Sequence, residues 1–422
     1  MHSSTPSVLY IAFHYPPILG SSGVHRTLAF TRHLDSSGWQ VRVLAPSLKA
    51  YQNWSDDQFS FIPENVEVIR AFARDVSRHF SWRGKYLMRM ALPDNWQSWI
   101  VGGVISGLIS IIRNKPDVIV STYPIASAHI IAYFLHMLTG VPWVSDLRDP
   151  MAQSGYPSDP ARKRMFEWIE AKIVRHSSFA IVTAPGAKEL YLQRFPDTSD
   201  DFWQIIPNGY DEEIFSQVKP AATEGSDVAG KAPYILLHSG VIYPYERDPR
   251  QLFTALSELK QEGGHNIEQL QLRLRATGNE DLYQQQIDQL DISDLVKLEP
   301  PIPYTQALEE MLGVDGLLLL QADNCNYQIP AKAYEYIRAG KPVLALTPVE
   351  GDTGQLLAVA GVADICPLDD KQQIKDALLR FLGKLNDAVF VAMSQDSIRQ
   401  YSRQSQAVEF QTVLEKAISN IN

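Results

Sequence analysis

Short β-branched runs alternate with longer helical stretches along this chain, and the alternation runs twice. In the first half the runs are Val8–Phe13, Val41–Ala45, Val66–Ala71, Asp117–Ser121, Trp143–Ser145, Phe179–Thr183 and Gln204–Ile206. Directly after the first run, Val24, Thr27, Leu28, Thr31 and Leu34 fall at helical spacing. Strands joined by helical crossovers pair side by side in parallel, so each half predicts a parallel sheet with helices on its faces. Residues 216–232 are small and polar and are broken by Pro and Gly, which marks a linker. The alternation restarts with Tyr234–Ser239, Leu270–Ala276, Gly316–Gln321, Val343–Leu346 and Ala363–Ile365. The expected fold class is α/β, with two Rossmann-like doubly wound parallel-sheet domains facing a cleft. The first spans 1–215 and the second 233–393, and a helical segment over 394–422 need not stay with the domain before it. Ligands of such domains bind outside the C-terminal ends of the strands.

Composition narrows the class. A chain of 422 residues is long for one core, and two domains of roughly 200 residues each are expected. The net charge of −10 argues against nucleic acid as a partner, since binding it needs a basic surface that releases counterions. Only Cys325 and Cys366 are present, with no CxxC pair, so neither a disulfide framework nor a structural zinc site is expected. The first residues lack the basic start and long apolar run of a signal peptide. The longest mainly apolar stretch, Trp99–Ile112, is too short to cross a bilayer core of ~30 Å and is expected to be a buried helix. These features together predict a cytoplasmic protein, with at most a peripheral contact at the inner face of the membrane.

Several constellations carry chemistry. The first strand-to-helix junction, from Phe13 to Arg26, contains Gly20-Ser21-Ser22-Gly23, whose backbone N–H groups suit an anion or a polar sugar. A tight turn that needs small residues is the plainer reading. Ser145-Asp146-Leu147-Arg148-Asp149-Pro150 places three charges at a strand end, where Asp149 or Asp146 is a candidate to hold an acceptor hydroxyl and Arg148 a neutralising partner. His129, near the start of the helix beginning at Ser127, is a catalytic candidate, with a plain helix-start histidine as the alternative. In the second half Gly240 allows close backbone approach, and Arg247 can fork onto phosphate oxygens. Pro330 and Gly340 bracket a helix on which Lys332 and Glu335 share a face. There the lysine suits a diphosphate and the glutamate the two hydroxyls of a ribose, against the plainer reading of a surface ion pair extended by Arg338. Thr353 and Gly354 open a further helix whose N-terminal amides form a second anion site.

In order and spacing, YPPILGSSGVHR, SDLRDP, IPNGYDEEIF, HSGVIYPYERDP and IPAKAYEYIRAGKPVLAL resemble the retaining family-4 glycosyltransferases of the GT-B fold. The likeness covers nearly the whole chain. It implies that Gly20–Gly23 lies under the donor sugar and diphosphate, that Arg247 meets the donor phosphates, and that Glu335 holds the nucleotide ribose. It also implies that Pro207-Asn208-Gly209 ends the N-terminal domain and that the last helix crosses back to it. The family's other motif glutamate, which stands before Glu335 with seven residues between them, is Tyr327 here, and the chain shows an Ile329-Pro330-x-Lys332 variant in which Lys332 supplies part of that contact. The family histidine beside the reacting sugar has no direct match, because Thr122-Tyr123-Pro124 fills its loop.

The expected activity is transfer of a sugar from a nucleoside diphosphate sugar to an acceptor hydroxyl with retention, in surface polysaccharide or glycolipid assembly. No metal and no resident cofactor are expected. The partners are a nucleotide-sugar donor and a saccharide or lipid-linked acceptor. A stretch over 70–89, with Arg70, Arg74, Arg78, Arg83, Lys85 and Arg89 among aromatic residues, suits anionic lipid headgroups; a solvated loop and helix face is the alternative. Two other classes stand beside this reading: a sugar-nucleotide 2-epimerase and a non-catalytic sugar-nucleotide-binding protein.

Overall fold

The computed structural model describes residues 5–19, 23–83, 85–153, 155–221, 233–244, 246–387, 390 and 393–420. The chain divides into two compact units, Met1–Pro207 with Arg403–Asn422, and Asn208–Ser402.

The first unit is built on seven parallel strands: β1 (Ser7–Ile11), β2 (Gln40–Pro46), β3 (Glu67–Ala71), β4 (Val118–Thr122), β5 (Trp143–Arg148), β6 (Phe179–Val182) and β7 (Trp203–Ile205). Their order across the sheet is β3-β2-β1-β4-β5-β6-β7. The chain therefore reverses its direction of travel at the β1/β4 junction, where Val8 is flanked by Val41 on one side and Val118 on the other. The central strands are fully buried, which is why they read as continuous apolar runs rather than alternating ones.

The second unit repeats the plan with β8 (Tyr234–Ser239), β9 (Leu270–Arg275), β10 (Val296–Glu299), β11 (Gly316–Leu320), β12 (Val343–Leu346) and β13 (Ala363–Cys366). The order is β10-β9-β8-β11-β12-β13, and the pairings are parallel. The switch point here is β8/β11. Both units thus have the GT-B type of doubly wound α/β domain. Strand β10 was not expected: VKLE is short and alternates charge with apolar side chains, so it lacks the run that marked its neighbours.

Three differences from the sequence reading have physical causes. The division falls after Pro207 rather than after 215, because the segment beyond it is stitched to the second unit. Tyr210 N–H donates to Tyr401 O at 3.3 Å, and Arg338 makes a two-pronged pair with Glu212 at 2.7 and 2.8 Å. Of the expected linker 216–232, residues 222–232 lie outside the described residues, and helix Glu212–Gln217 covers its start. The terminal segment is not one element. Helix Gln395–Arg399 stays with the second unit, whereas helix Arg403–Ser419 belongs to the first. The long helix buries Ala407, Phe410, Val413, Leu414 and Ala417 at helical spacing, and Phe410 stacks on Phe30 with ring centroids 4.4 Å apart.

The third difference concerns helix Ser98–Arg113, which was expected to be buried. It packs one side inward, but Val101, Ile105, Ile109 and Ile112 on the other side are exposed. No helix among the described residues is long and apolar enough to cross a membrane.

Candidate functional site

In the first unit the candidate groups gather beyond the C-terminal ends of β1, β4 and β5. Helix Gly23–Ser36 follows the first loop; Gly20 lies outside the described residues, while Gly23 starts the helix and its carbonyl accepts from Arg148 Nη2 at 3.2 Å. Asp146 is completely buried, and its carboxylate is answered from three directions. Arg26 Nε and Nη2 donate to its two oxygens at 3.2 Å each, and Thr122 Oγ1 donates at 2.9 Å. Arg148 lies 3.6 Å away and also donates to Thr122 Oγ1 and Thr27 Oγ1 at 3.0 Å each. Arg26 further donates to the carbonyls of Pro207 at 2.7 Å and Ile206 at 3.0 Å. Burial pushes the Asp146 carboxyl up, but the guanidiniums of Arg26 and Arg148 outweigh it and hold the carboxyl below its usual range. Asp146 is therefore a structural anion with its lone pairs spent inside the protein.

Asp149 differs. It is partly exposed, Thr183 Oγ1 donates to it at 3.5 Å, and burial raises its pKa despite Arg148 nearby. Of the two aspartates it is the one with capacity to receive a further hydroxyl. Arg148 reaches its place through a left-handed backbone, φ 58°, at a register shift in β5. Sequence reasoning assigned no role to His14, just past β1. Burial, with help from Arg148, lowers its pKa to about 4, so it is a neutral imidazole at the strand end.

His129 sits in the interior with no exposed surface. Its Nδ1 is hydrogen-bonded to Ser121 Oγ at 2.7 Å, and that oxygen also accepts from Trp143 Nε1 at 2.8 Å, so the serine hydroxyl links the two rings. Burial lowers the His129 pKa to about 3, and its ring stacks on Tyr123. A permanently neutral, enclosed imidazole packs a core rather than passing protons at neutral pH.

In the second unit the groups converge where β8 ends. Gly240 has φ 124°, and a side-chain carbon there would come 3.2 Å from Lys332 Nζ. Helix Ala331–Ala339 is bracketed by Pro330 and by Gly340 in left-handed conformation, φ 64°. Its three charges do not form the surface ladder that spacing allowed. Lys332 turns inward to His238, Glu335 accepts from Tyr304 Oη at 2.8 Å, and Arg338 goes to Glu212. His238 Nδ1 faces Leu318 O at 3.0 Å and so carries the proton, leaving Nε2 to accept from Lys332 Nζ at 3.2 Å. Burial first, then the charge of Arg247, lowers the Lys332 pKa to about 7, while Glu335 pulls it back up. Arg247 is oriented by Val241 O at 2.8 Å and by the ring of Tyr243 at 5.3 Å. Two cations and one carboxylate thus surround the β8 exit, a net positive site suited to an anion.

Thr353 and Gly354 lie in the first turn of helix Asp352–Ala360, but Thr353 is buried and its hydroxyl is engaged by Gln321 Oε1 at 2.8 Å and Gln328 O at 3.1 Å. It braces the loop that carries Tyr327, whose side chain is exposed. At Gly354 a side chain would collide with the carbonyls of Pro348 and Val349, so the residue serves that packing.

Residues 22–209 match the family described as the glycosyl transferase 4-like domain. The match spans most of the first unit and stops at its boundary with the second. Among solved structures, sucrose-phosphate synthase from Thermosynechococcus elongatus matches with TM-score 0.71 at 13% identity, covering 98% of this chain and 100% of that one. HepE of Anabaena in complex with UDP matches with TM-score 0.65 at 13% identity, covering 98% and 100%. A putative UDP-N-acetylglucosamine 2-epimerase from Listeria monocytogenes matches with TM-score 0.60 at 11% identity, covering 99% and 98%. At these identities the likeness is one of fold, the GT-B fold. No curated protein matches this chain in sequence.

Because Gly240 combines a left-handed-side φ with contact to Lys332, Gly240→Ala should strain the backbone by about 1–3 kcal/mol and displace the lysine. A lowered melting temperature together with weaker nucleotide binding is the expected result.

Proposed function

We propose that the chain moves a sugar from a nucleoside diphosphate sugar to an acceptor hydroxyl with retention of anomeric configuration, in the assembly of a surface polysaccharide or glycolipid. The observation that supports it most is the convergence of Lys332, Arg247 and Glu335 on the exit of β8, the switch point of the second sheet. Arg247 and Lys332 would neutralise the diphosphate as it departs, and Glu335 would accept hydrogen bonds from the ribose hydroxyls. With positioning and charge stabilisation carried by these groups, the chain's own chemistry needs no acid–base pair at the diphosphate. On the other unit Asp149 would receive the acceptor hydroxyl, while Asp146 holds Arg26 and Arg148 in place. Tyr327 stands where a donor-sugar contact is expected, so the sugar preference of this chain is its own. The Anabaena protein is a complex with UDP, which makes uridine nucleotides the first donors to try.

The test is incubation with a panel of nucleoside diphosphate sugars, with and without saccharide and lipid-linked acceptors, read by nuclear magnetic resonance. A new glycoside with the donor's anomeric configuration is expected. An epimerised nucleotide sugar formed without acceptor would replace this reading with the 2-epimerase one, which the Listeria likeness keeps in view. Tight donor binding with neither transfer nor hydrolysis would mark a binding protein instead.

Lys332 also predicts a pH dependence. Its free pKa of about 7 means that the cationic, diphosphate-binding form is abundant below 7 and declines above it. Binding an anion raises that pKa, so protons are taken up on binding and affinity should fall as pH rises above about 7. Affinity for a nucleoside diphosphate sugar, whose diester phosphates do not titrate there, should show this slope, and Lys332→Met should flatten it.

A further inference from the structure

Helix Ser98–Arg113 carries an outward stripe of Val101, Ile105, Ile109 and Ile112, spaced four, four and three residues apart on one face. Val101 is 64% and Ile112 76% exposed. The stripe does not stand alone. Helix Ser127–Thr139 packs along the inner side, with Gly103 against Ile131 and Gly107 against Leu135, and exposes Phe134, Met137 and Leu138. At the other margin the helix meets Phe72, which is exposed and whose carbonyl abuts Gly102; Arg74 N–H donates to Ser98 Oγ at 2.8 Å. The chain from there leads to Trp82 and Leu87, 79% and 74% exposed. Apolar surface of this extent marks an interaction site rather than ordinary exposure.

Charge decides the occupant. In a chain of net charge −10, residues 76–93, 95–116 and 118–140 contain no acidic residue. The two acids within 70–116 are turned to structural work: Asp75 caps the helix Val76–His79, and Asp94 accepts from Trp96 N–H and from Ser127 N–H and Oγ. Arg83, Lys85 and Arg89 are exposed in the segment that follows Phe72, and Arg113 and Lys115 are exposed at the C-terminal end of the stripe. Glu67 is the acidic neighbour there, lining a groove with Ile109 and Arg113. A second copy docked by two-fold symmetry would set these cationic margins against each other, whereas an anionic bilayer complements them. We propose that the outer face of helices Ser98–Arg113 and Ser127–Thr139, with the basic and aromatic stretch 72–89 on its margin, rests on an anionic membrane surface. The apolar stripe enters the headgroup boundary and the cations meet lipid phosphates. Arg70 and Arg78 are not part of the contact, because they are spent on Tyr51 Oη and Tyr51 O, at 3.2 and 2.7 Å. This surface needs no nucleotide, so it goes beyond the sugar-transfer reading and fails independently of it.

The experiment is flotation of the full chain with vesicles of phosphatidylcholine and phosphatidylglycerol, against vesicles of phosphatidylcholine alone. Wild type is expected to float with the anionic vesicles and to remain largely at the bottom with the neutral ones. The triple variant I105Q/I109Q/I112Q and the double variant W82S/L87S are each expected to lose roughly ten-fold or more of the bound fraction. Both should keep wild-type nucleotide affinity by calorimetry, which verifies folding. Three results would overturn the proposal: wild type failing to float with anionic vesicles, both variants floating as wild type does, or light scattering showing a dimer that the triple variant converts to monomer.

Discussion

Asp146→Ala should cost the first unit about 3–5 kcal/mol of stability, the range for removing one partner of a buried ion pair. The substitution leaves Arg26 and Arg148, both buried, facing each other without the carboxylate that joins them. For a unit of this size that corresponds to a fall in melting temperature of roughly 6–20 °C, read by calorimetry. Asp146→Asn, which keeps the shape and some hydrogen bonds, should fall between. The pH dependence follows from the same pair. The folded-state pKa of Asp146 lies below its unfolded value, so its contribution is present above the unfolded pKa and is lost as pH falls through the folded one. The difference between wild type and Asp146→Ala should therefore shrink as acid approaches that folded value. A variant as stable as wild type at neutral pH would contradict this account of the site's frame.

Glu335→Ala is expected to act oppositely, sparing the fold and removing the ligand. Its carboxylate is partly exposed and accepts from Tyr304 Oη, so truncation breaks no buried ion pair, and Lys332, which loses the carboxylate that pulls its pKa up, can shed its proton instead. Two ribose hydroxyls donating to a carboxylate are worth roughly 1.5–3 kcal/mol each, so affinity for a nucleoside diphosphate should fall about a hundred-fold or more. Glu335→Gln, which keeps an acceptor but not the charge, should lose less. An unchanged melting temperature alongside the loss would separate a binding role from a structural one.

How much of this was legible in the sequence depends on distance along the chain. Pro330 and Gly340 mark their helix because capping is local, and Lys332 and Glu335 share a face because helical spacing is local. Their partners are not local. His238 lies 94 residues from Lys332, and nothing near the lysine says that it will turn inward and lose part of its affinity for a proton. Likewise SDLRDP announces three charges at a strand end, but Arg26, 120 residues earlier, decides that Asp146 is structural. His14 was visible only as a histidine past a strand, and His238 only as one within a strand. Helix Ser98–Arg113 shows a different limit. An all-round apolar sequence says that the outer face avoids water, not what covers it, and the structure leaves that face outward. The parallel sheets themselves were readable because buried central strands must be apolar throughout; β10 escaped because an edge strand need not be.

The central claim is that the second unit holds the nucleotide end of a sugar donor at the exit of β8. Calorimetric titration with uridine diphosphate and the other nucleoside diphosphates, on wild type and Glu335→Ala, tests it most directly. The account predicts saturable binding of at least one nucleotide by wild type and a loss of about a hundred-fold or more in the variant. Binding of equal strength by both proteins, or of no nucleoside diphosphate by wild type, would contradict it.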